Sequence, residues 1–225
     1  MGRLPASQRK QQLLDTALDL FARLGYARAT TAELAKAAGV TEPIIYRHFE
    51  SKKALFVALI ERTGTRALEQ WERDMAGASD PGDRLRRLIG DNPMVAESGR
   101  KAYRVFLQAI TETDDPEIRD AIDAHIRSLF EFVKAEVVKA QAAHRVTTRY
   151  AADLIAWLLI HIGLGYGVLS AMAIQGHGQD AGGGHVKDVL ARILTGPEFR
   201  PEQKAEHKPE PNAEEPPAKT PKRDK

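Results

Sequence analysis

At 225 residues, with 43% hydrophobic content and no cysteine, the chain can bury a core of its own without covalent staples. The missing cysteines exclude disulfides, thiolate metal sites and cysteine nucleophiles, and they fit a reducing compartment. No apolar signal segment opens the chain, so a cytoplasmic location is expected. The formal net charge is only +2, yet its distribution is uneven: residues 1–62 carry 10 Lys/Arg against 6 Asp/Glu, residues 63–196 carry 16 against 18, and the remainder 7 against 7. The basic excess sits where phosphate contacts would be needed.

In chain order, Leu14, Ala17, Leu18 and Phe21 repeat at helical spacing and predict a helix over 7–24, with Ser7 as N-cap and Gly25 as stop. Short helices follow over 32–38 and 42–49, and a longer one runs from Ser51 towards Met75. Breaks at 77–82, 91–93, 113–116, 143–147 and 176–184 separate the later helices. Ile118, Ile122, Ile126, Leu129, Phe130, Val133 and Val137 make one long stripe, so that helix is buried along one side. Residues 154–174 hold no charge and are long enough to span a bilayer. Asp153, His161 and the crowded Gly163, Gly165 and Gly167 argue instead for a buried or dimer-forming helix, with no membrane partner. Leu190, Ile193 and Leu194 predict a last short helix. No alternating strand pattern occurs, and the fold class is all-α. After Gly196 the chain turns to Pro, Glu and Lys, and 197–225 is expected to be a disordered tail.

The informative stretch is 30–49. Thr30 with Glu33 is a capping box; Ala35 is small enough for a second helix to approach. Gly39 can take the left-handed conformation that ends one helix, Val40 plugs the corner, and Thr41 caps the next. Glu42 complements the helix dipole and Pro43 is tolerated in the first turn. In the second helix Ile45 and Phe49 share the inward face, while Pro43 and Arg47 point away, with Ile44 beside them. Tyr46 and His48 project to opposite flanks. This is the layout of a major-groove reader. Arg47 can donate to guanine, Glu42 can accept from cytosine, and Ile44 can touch a thymine methyl. Lys52 and Thr31, each at a helix start, suit phosphates. The candidate DNA contacts are thus Thr31, Thr41, Glu42, Pro43, Ile44, Tyr46, Arg47, His48 and Lys52.

The run Leu14, Ala17, Leu18, Phe21, Gly25-Tyr26, Thr30-Thr31, Leu34-Ala35, Ala38-Gly39-Val40-Thr41, then Ile45-Tyr46-Arg47-His48-Phe49-Glu50-Ser51-Lys52 and Leu55 resembles the N-terminal signature of the tetracycline-repressor (TetR) family of bacterial regulators. That resemblance implies phosphate contacts from Thr31, Tyr46, His48 and Lys52, and base-facing positions at Glu42, Pro43 and Arg47. Ala32 stands where some members carry a base-reading arginine. It further implies a three-helix DNA-binding domain over 1–62 and a larger helical ligand-binding and dimerisation domain over 63–196. The protein would be a homodimeric repressor on an inverted-repeat operator, released by a small-molecule effector of unknown identity; the alternative is a C-terminal domain that serves as a protein-interaction and dimerisation scaffold without such a ligand.

Polar-tipped aromatics on apolar helices mark a candidate pocket: Tyr103, Phe106, Phe130, Trp157 and His161, with Trp71 and Tyr166 of the same type. Arg100, Lys101 and Arg104 near Tyr103 read as a solvated face. His177 and His185 flank Gly182-Gly183-Gly184, but no third ligand accompanies them, so no metal is expected. No nucleotide fingerprint, HExxH or GxSxG occurs, and neither enzymatic activity nor a cofactor is expected.

Overall fold

Capping chemistry decides where the first helices start and stop. The computed structural model describes residues 4–90, 97–182 and 184–195, and among these every regular element is an α-helix. Helix α1 (Ala6–Leu24) begins after Pro5, so Ser7 lies inside it rather than capping it; Pro fixes φ ahead of the first turn without needing a side-chain cap. Gly25 ends α1 at φ 86°. Helix α2 (Thr31–Ala38) starts on the expected box, with Thr30 Oγ1 accepting from the Glu33 N–H and the Glu33 carboxylate from the Thr30 N–H. Helix α3 (Glu42–Tyr46) is shorter than expected and passes into a turn before Phe49. Ser51 Oγ caps α4 (Lys52–Met75) by accepting from the Ala54 N–H at 3.0 Å.

Five further helices follow: α5 (Pro81–Gly90), α6 (Glu97–Ile110), α7 (Pro116–Ala142), α8 (Ala152–Ala171) and α9 (Val186–Thr195). The expected break at 91–93, the side chain of Arg100 and the tail over 197–225 lie outside the described residues.

Two apolar clusters hold these helices. The first gathers α1 to α3 and the start of α4 around Leu13, Phe21, Leu34, Ile45, Leu55 and Phe56, and it extends to Val105 and Ala109 of α6 and Ile118 and Ala121 of α7. The second joins Trp71 and Met75 of α4 with Leu85 of α5, Val133 and Val137 of α7, Ile155 and Leu159 of α8, and Leu190 and Leu194 of α9. Helix α4 enters both clusters without a break, and residue 62, the expected domain boundary, falls within it. Polar ties reinforce the junction. Gln108 of α6 donates to the Phe21 carbonyl and accepts from the Tyr26 N–H, each at 2.9 Å. Lys53 pairs with Asp115 and Glu117 at the start of α7.

Within the second cluster the Glu136 carboxylate is 2% exposed, and Arg84 of α5 grips it with two N–H donors at 2.7 and 3.1 Å while Lys139 adds a third at 2.7 Å. These partners hold its carboxyl below the usual range against the opposing pull of burial. Helix α8 is apolar on all sides: Ile155, Ala156, Leu159, Ile160 and Gly167 face inward, and Leu154, Trp157, Leu158, Leu169 and Met172 face out. Among the described residues it is the one helix long and apolar enough to cross a membrane. Its inner face packs on α7 and α6.

Two glycines permit close helix approach. The Tyr103 ring lies over Gly167, and its hydroxyl donates to the Leu164 carbonyl at 2.7 Å. On α4, a Cβ at Gly64 would collide with Nδ1 of the buried His125 ring from α7. Alanine at position 64 gains about 1 kcal/mol of helix propensity, but overpacking against a buried ring costs about 1–3 kcal/mol. Gly64→Ala is therefore expected to lower unfolding stability by about 1 kcal/mol, read as a decreased urea midpoint with unchanged slope.

Candidate DNA interface and ligand cavity

The corner between α2 and α3 is built by backbone geometry. Gly39 sits at φ 66°, ψ 36°, and the Val40 N–H returns to the Ala35 carbonyl at 3.0 Å, closing the left-handed cap. Thr41 occupies the N-cap position of α3 in extended conformation, but its side chain makes no capping bond, and the hydroxyl is exposed. Ile45 and Phe49 are 1% and 5% exposed, which fixes the roll of α3 and turns Pro43 and Arg47 outward. Tyr46 is half exposed; Ile44 and His48 are half-buried at the flanks.

Four of the candidate side chains are already engaged. Thr31 Oγ1 donates to the Glu42 carboxylate at 2.7 Å and lies 3.3 Å from the Tyr46 hydroxyl, so α2 holds both ends of α3 through one oxygen. Lys52 does not project freely from the start of α4. Its ammonium donates to the carbonyls of Tyr26, Ala27 and Ala29 at 3.0, 3.4 and 3.1 Å and sits 4.5 Å from the Tyr26 ring centroid. Sequence spacing could not show this, because the carbonyls belong to the turn between α1 and α2. Pro43, Ile44, Arg47 and His48 make no side-chain hydrogen bond within the fold among the described residues, and the exposed outer ridge of α3 is open to a partner.

A second feature lies between α4 to α9: a cavity of about 290 Å³ lined by Trp71, Tyr103, His125, Tyr166 and His185 together with Leu88, Leu129, Val133, Leu159 and Leu190. Among the described residues no Asp, Glu, Lys or Arg lines it. A wider groove of about 1250 Å³ follows α1, but it is open to water and edged by Asp15, Asp19, Arg23 and Lys101. Of the aromatics chosen from sequence, Tyr103 lines the cavity and Phe106 packs behind it against Tyr103 and His125. Phe130, Trp157 and His161 do not line it; they stack on one another along the outer side of α7 and α8, at 4.7 and 6.0 Å between centroids. The all-round apolarity of α8 hid which of its faces turns inward. His125 was missed because a lone histidine on an apolar stripe resembles any other core position. His177 and His185 both flank the Tyr166 ring, and among the described residues no group of three potential metal ligands gathers.

Burial dominates the chemistry of the cavity wall. It pushes the Tyr103 phenol up to about 12 and the His125 ring down to about 4, so both are neutral near pH 7. The His125 Nδ1 and Trp71 Nε1 atoms are sealed without a hydrogen-bond partner.

The comparisons with known proteins agree with this geometry. Residues 13–59 match the model of bacterial regulatory proteins, tetR family. The chain is similar to the HTH-type transcriptional activator FasR of Mycolicibacterium smegmatis, 27% identical over 147 residues, covering 64% of this chain and 66% of FasR. It is also similar to the HTH-type transcriptional repressor KstR of Mycobacterium tuberculosis, 23% identical over 165 residues, covering 70% and 74%. The match thus spans about two thirds of FasR and somewhat more of KstR. Its fold is that of a transcriptional regulator from Saccharomonospora viridis solved with choline, with a TM-score of 0.69 at 23% identity over 83% of this chain and 93% of that one.

Arg47→Ala is expected to weaken binding to a preferred DNA site by about 1–3 kcal/mol and to relax base preference there. Lys52→Ala removes an ammonium that three backbone carbonyls hold, so it should lower the urea midpoint and leave the salt slope of DNA binding unchanged. A slope reduced by about one would instead place Lys52 on a phosphate. The His125 shift has a defined sign. The unfolded ring protonates near pH 6.5 and the folded ring near 4, so the unfolded state binds more protons between those values. Stability is complete above pH 6.5 and falls by up to about 3 kcal/mol as pH drops towards 4. Urea unfolding of His125→Leu should show a flatter profile over that window.

Proposed function

The chain is a DNA-binding transcriptional regulator of the tetR family, and we propose that it acts as a homodimer that represses from an inverted-repeat operator and is released by a small molecule. The family is one of regulators and not of enzymes. The observation that carries the DNA half is the roll of α3. Burial of Ile45 and Phe49 leaves Pro43, Ile44 and Arg47 as the ridge for base edges, with Tyr46, His48, Thr31 and Thr41 beside it for the phosphate walls. Glu42 reads from the same end once it shares or releases the Thr31 hydroxyl.

The dimer half rests on apolar side chains of α8 and α9 that nothing covers among the described residues. Leu154, Leu158, Leu169 and Met172 of α8, with Val189 and Ile193 of α9, are 39–63% exposed. An inverted-repeat operator requires the second copy to bring the two α3 ridges to major grooves about 34–36 Å apart, or an integral multiple of that. KstR is a repressor and FasR an activator by name. Here repression follows where the operator overlaps a promoter.

The cavity supports the release step. It is enclosed by the helices that grip the distal half of α4, while the proximal half of α4 is bound into the DNA-binding core. A ligand that prefers one setting of α4 alters the spacing of the ridges, and linkage then requires lower ligand affinity on DNA. Leu158→Glu is expected to shift the protein to monomers by sedimentation and to abolish operator retention in gel shifts. Wild-type protein screened against a metabolite panel should lose its operator to at least one compound; dimeric behaviour of the variant, or no release by any compound, would refute the respective half.

A further inference from the structure

The cavity and the junction helix share one side chain, His125. A Cβ added at Gly64 of α4 would meet its Nδ1 first, with Cγ and Cε1 next at 3.2 Å, so the opposite Nε2–Cδ2 edge is turned away from that position. Nδ1 is sealed and unpartnered. A hydrogen on it would find no acceptor, which favours the tautomer with the single proton of the neutral ring on Nε2. His125 also lines the cavity. The Tyr103 proton is already committed to the Leu164 carbonyl and the Trp71 Nε1 atom is sealed, so the His125 Nε2–H is the donor that α7 offers at the cavity wall.

We propose that the cavity takes an uncharged, largely apolar small molecule that carries a carbonyl or comparable hydrogen-bond acceptor, and that this acceptor receives the Nε2–H of His125. The inference deepens the effector reading above and rests on it. An apolar wall favours carbon surface over water. A buried donor without a partner discriminates for an acceptor and against its hydrocarbon isostere. A carboxylate or a quaternary ammonium would surrender its hydration to a wall that returns no opposite charge among the described residues. Because the same ring is wedged against Gly64, a ligand that pulls on Nε2 acts on α4 through one rigid contact.

Equilibrium dialysis of the full-length protein tests this with four probes: 2-acetylnaphthalene, its isostere 2-isopropenylnaphthalene, 2-naphthoate and choline. The ketone should bind about tenfold tighter than the isopropenyl compound, a difference of about 1.4 kcal/mol, and naphthoate and choline should not be retained. His125→Leu should erase the tenfold preference while keeping hydrocarbon binding. If that variant does not fold, the comparison within the wild-type protein decides alone. Equal binding of ketone and isostere, tighter binding of naphthoate or choline, or no binding of either neutral naphthalene overturns the proposal. Operator release is scored separately by gel shift. Release by some other metabolite with no ketone preference leaves the effector reading standing and removes this one. The predicted preference, with no release by any compound, does the reverse.

Discussion

The structure depends on one helix belonging to two cores at once. Leu55, Phe56, Leu59 and Ile60 of α4 are buried with the DNA-binding helices, and Trp71 and Met75 are buried with α5, α7, α8 and α9. At about 1.5 Å per residue a helix of this length spans roughly 36 Å and behaves as a rod. Neither core can shift its grip without moving the other end. The first cluster also recruits Val105, Ala109, Ile118 and Ala121, so the DNA-binding helices are seated on α6 and α7 rather than tethered by a linker. Motion between the halves is then a matter of sliding and tilting packed helices.

At Gly64, α4 meets α7 through a ring in a glycine notch, while further along Trp71 stacks on Phe132. A notch resists approach but leaves lateral movement less hindered. The Arg84–Glu136–Lys139 cluster, buried at Glu136, lies further along α7, where it fixes α5 against α7 with hydrogen bonds of defined direction. Such a cluster adds specificity of arrangement more readily than net stability. The molecule thus combines a firmly registered distal bundle with a smoother junction at Gly64 and His125.

The sequence carried much of the fold in its punctuation and periodicity. Thr30, Glu33, Gly39 and Ser51 mark helix ends by local chemistry, and local chemistry survives folding. The α7 stripe was legible for the same reason: one face is apolar and the other is not. Legibility failed where contacts are long-range or faces are equivalent. Nothing local in Lys52 announces that its ammonium meets carbonyls more than twenty residues earlier. Nothing in α8 separates Leu159 inside from Leu158 outside, and this misdirected the choice of Trp157 and His161 for the cavity. Ser7 was read as a cap because its residue type permits one, while Pro5 settled the start of α1 by constraining the backbone before it.

The small network on α3 has an evolutionary consequence. Glu42 and Tyr46 both meet the Thr31 hydroxyl, so changing either disturbs the hold of α2 on α3 as well as the outer surface. The side chains of Pro43 and Arg47 are exposed and make no hydrogen bond among the described residues. Substitution can therefore explore new surface chemistry at those two positions with little loss of stability, while drift at Glu42 is penalised through the corner itself. In a lineage of duplicated regulators, divergence would accumulate first on the free positions of this helix, and the Thr31-linked pair would change late and together.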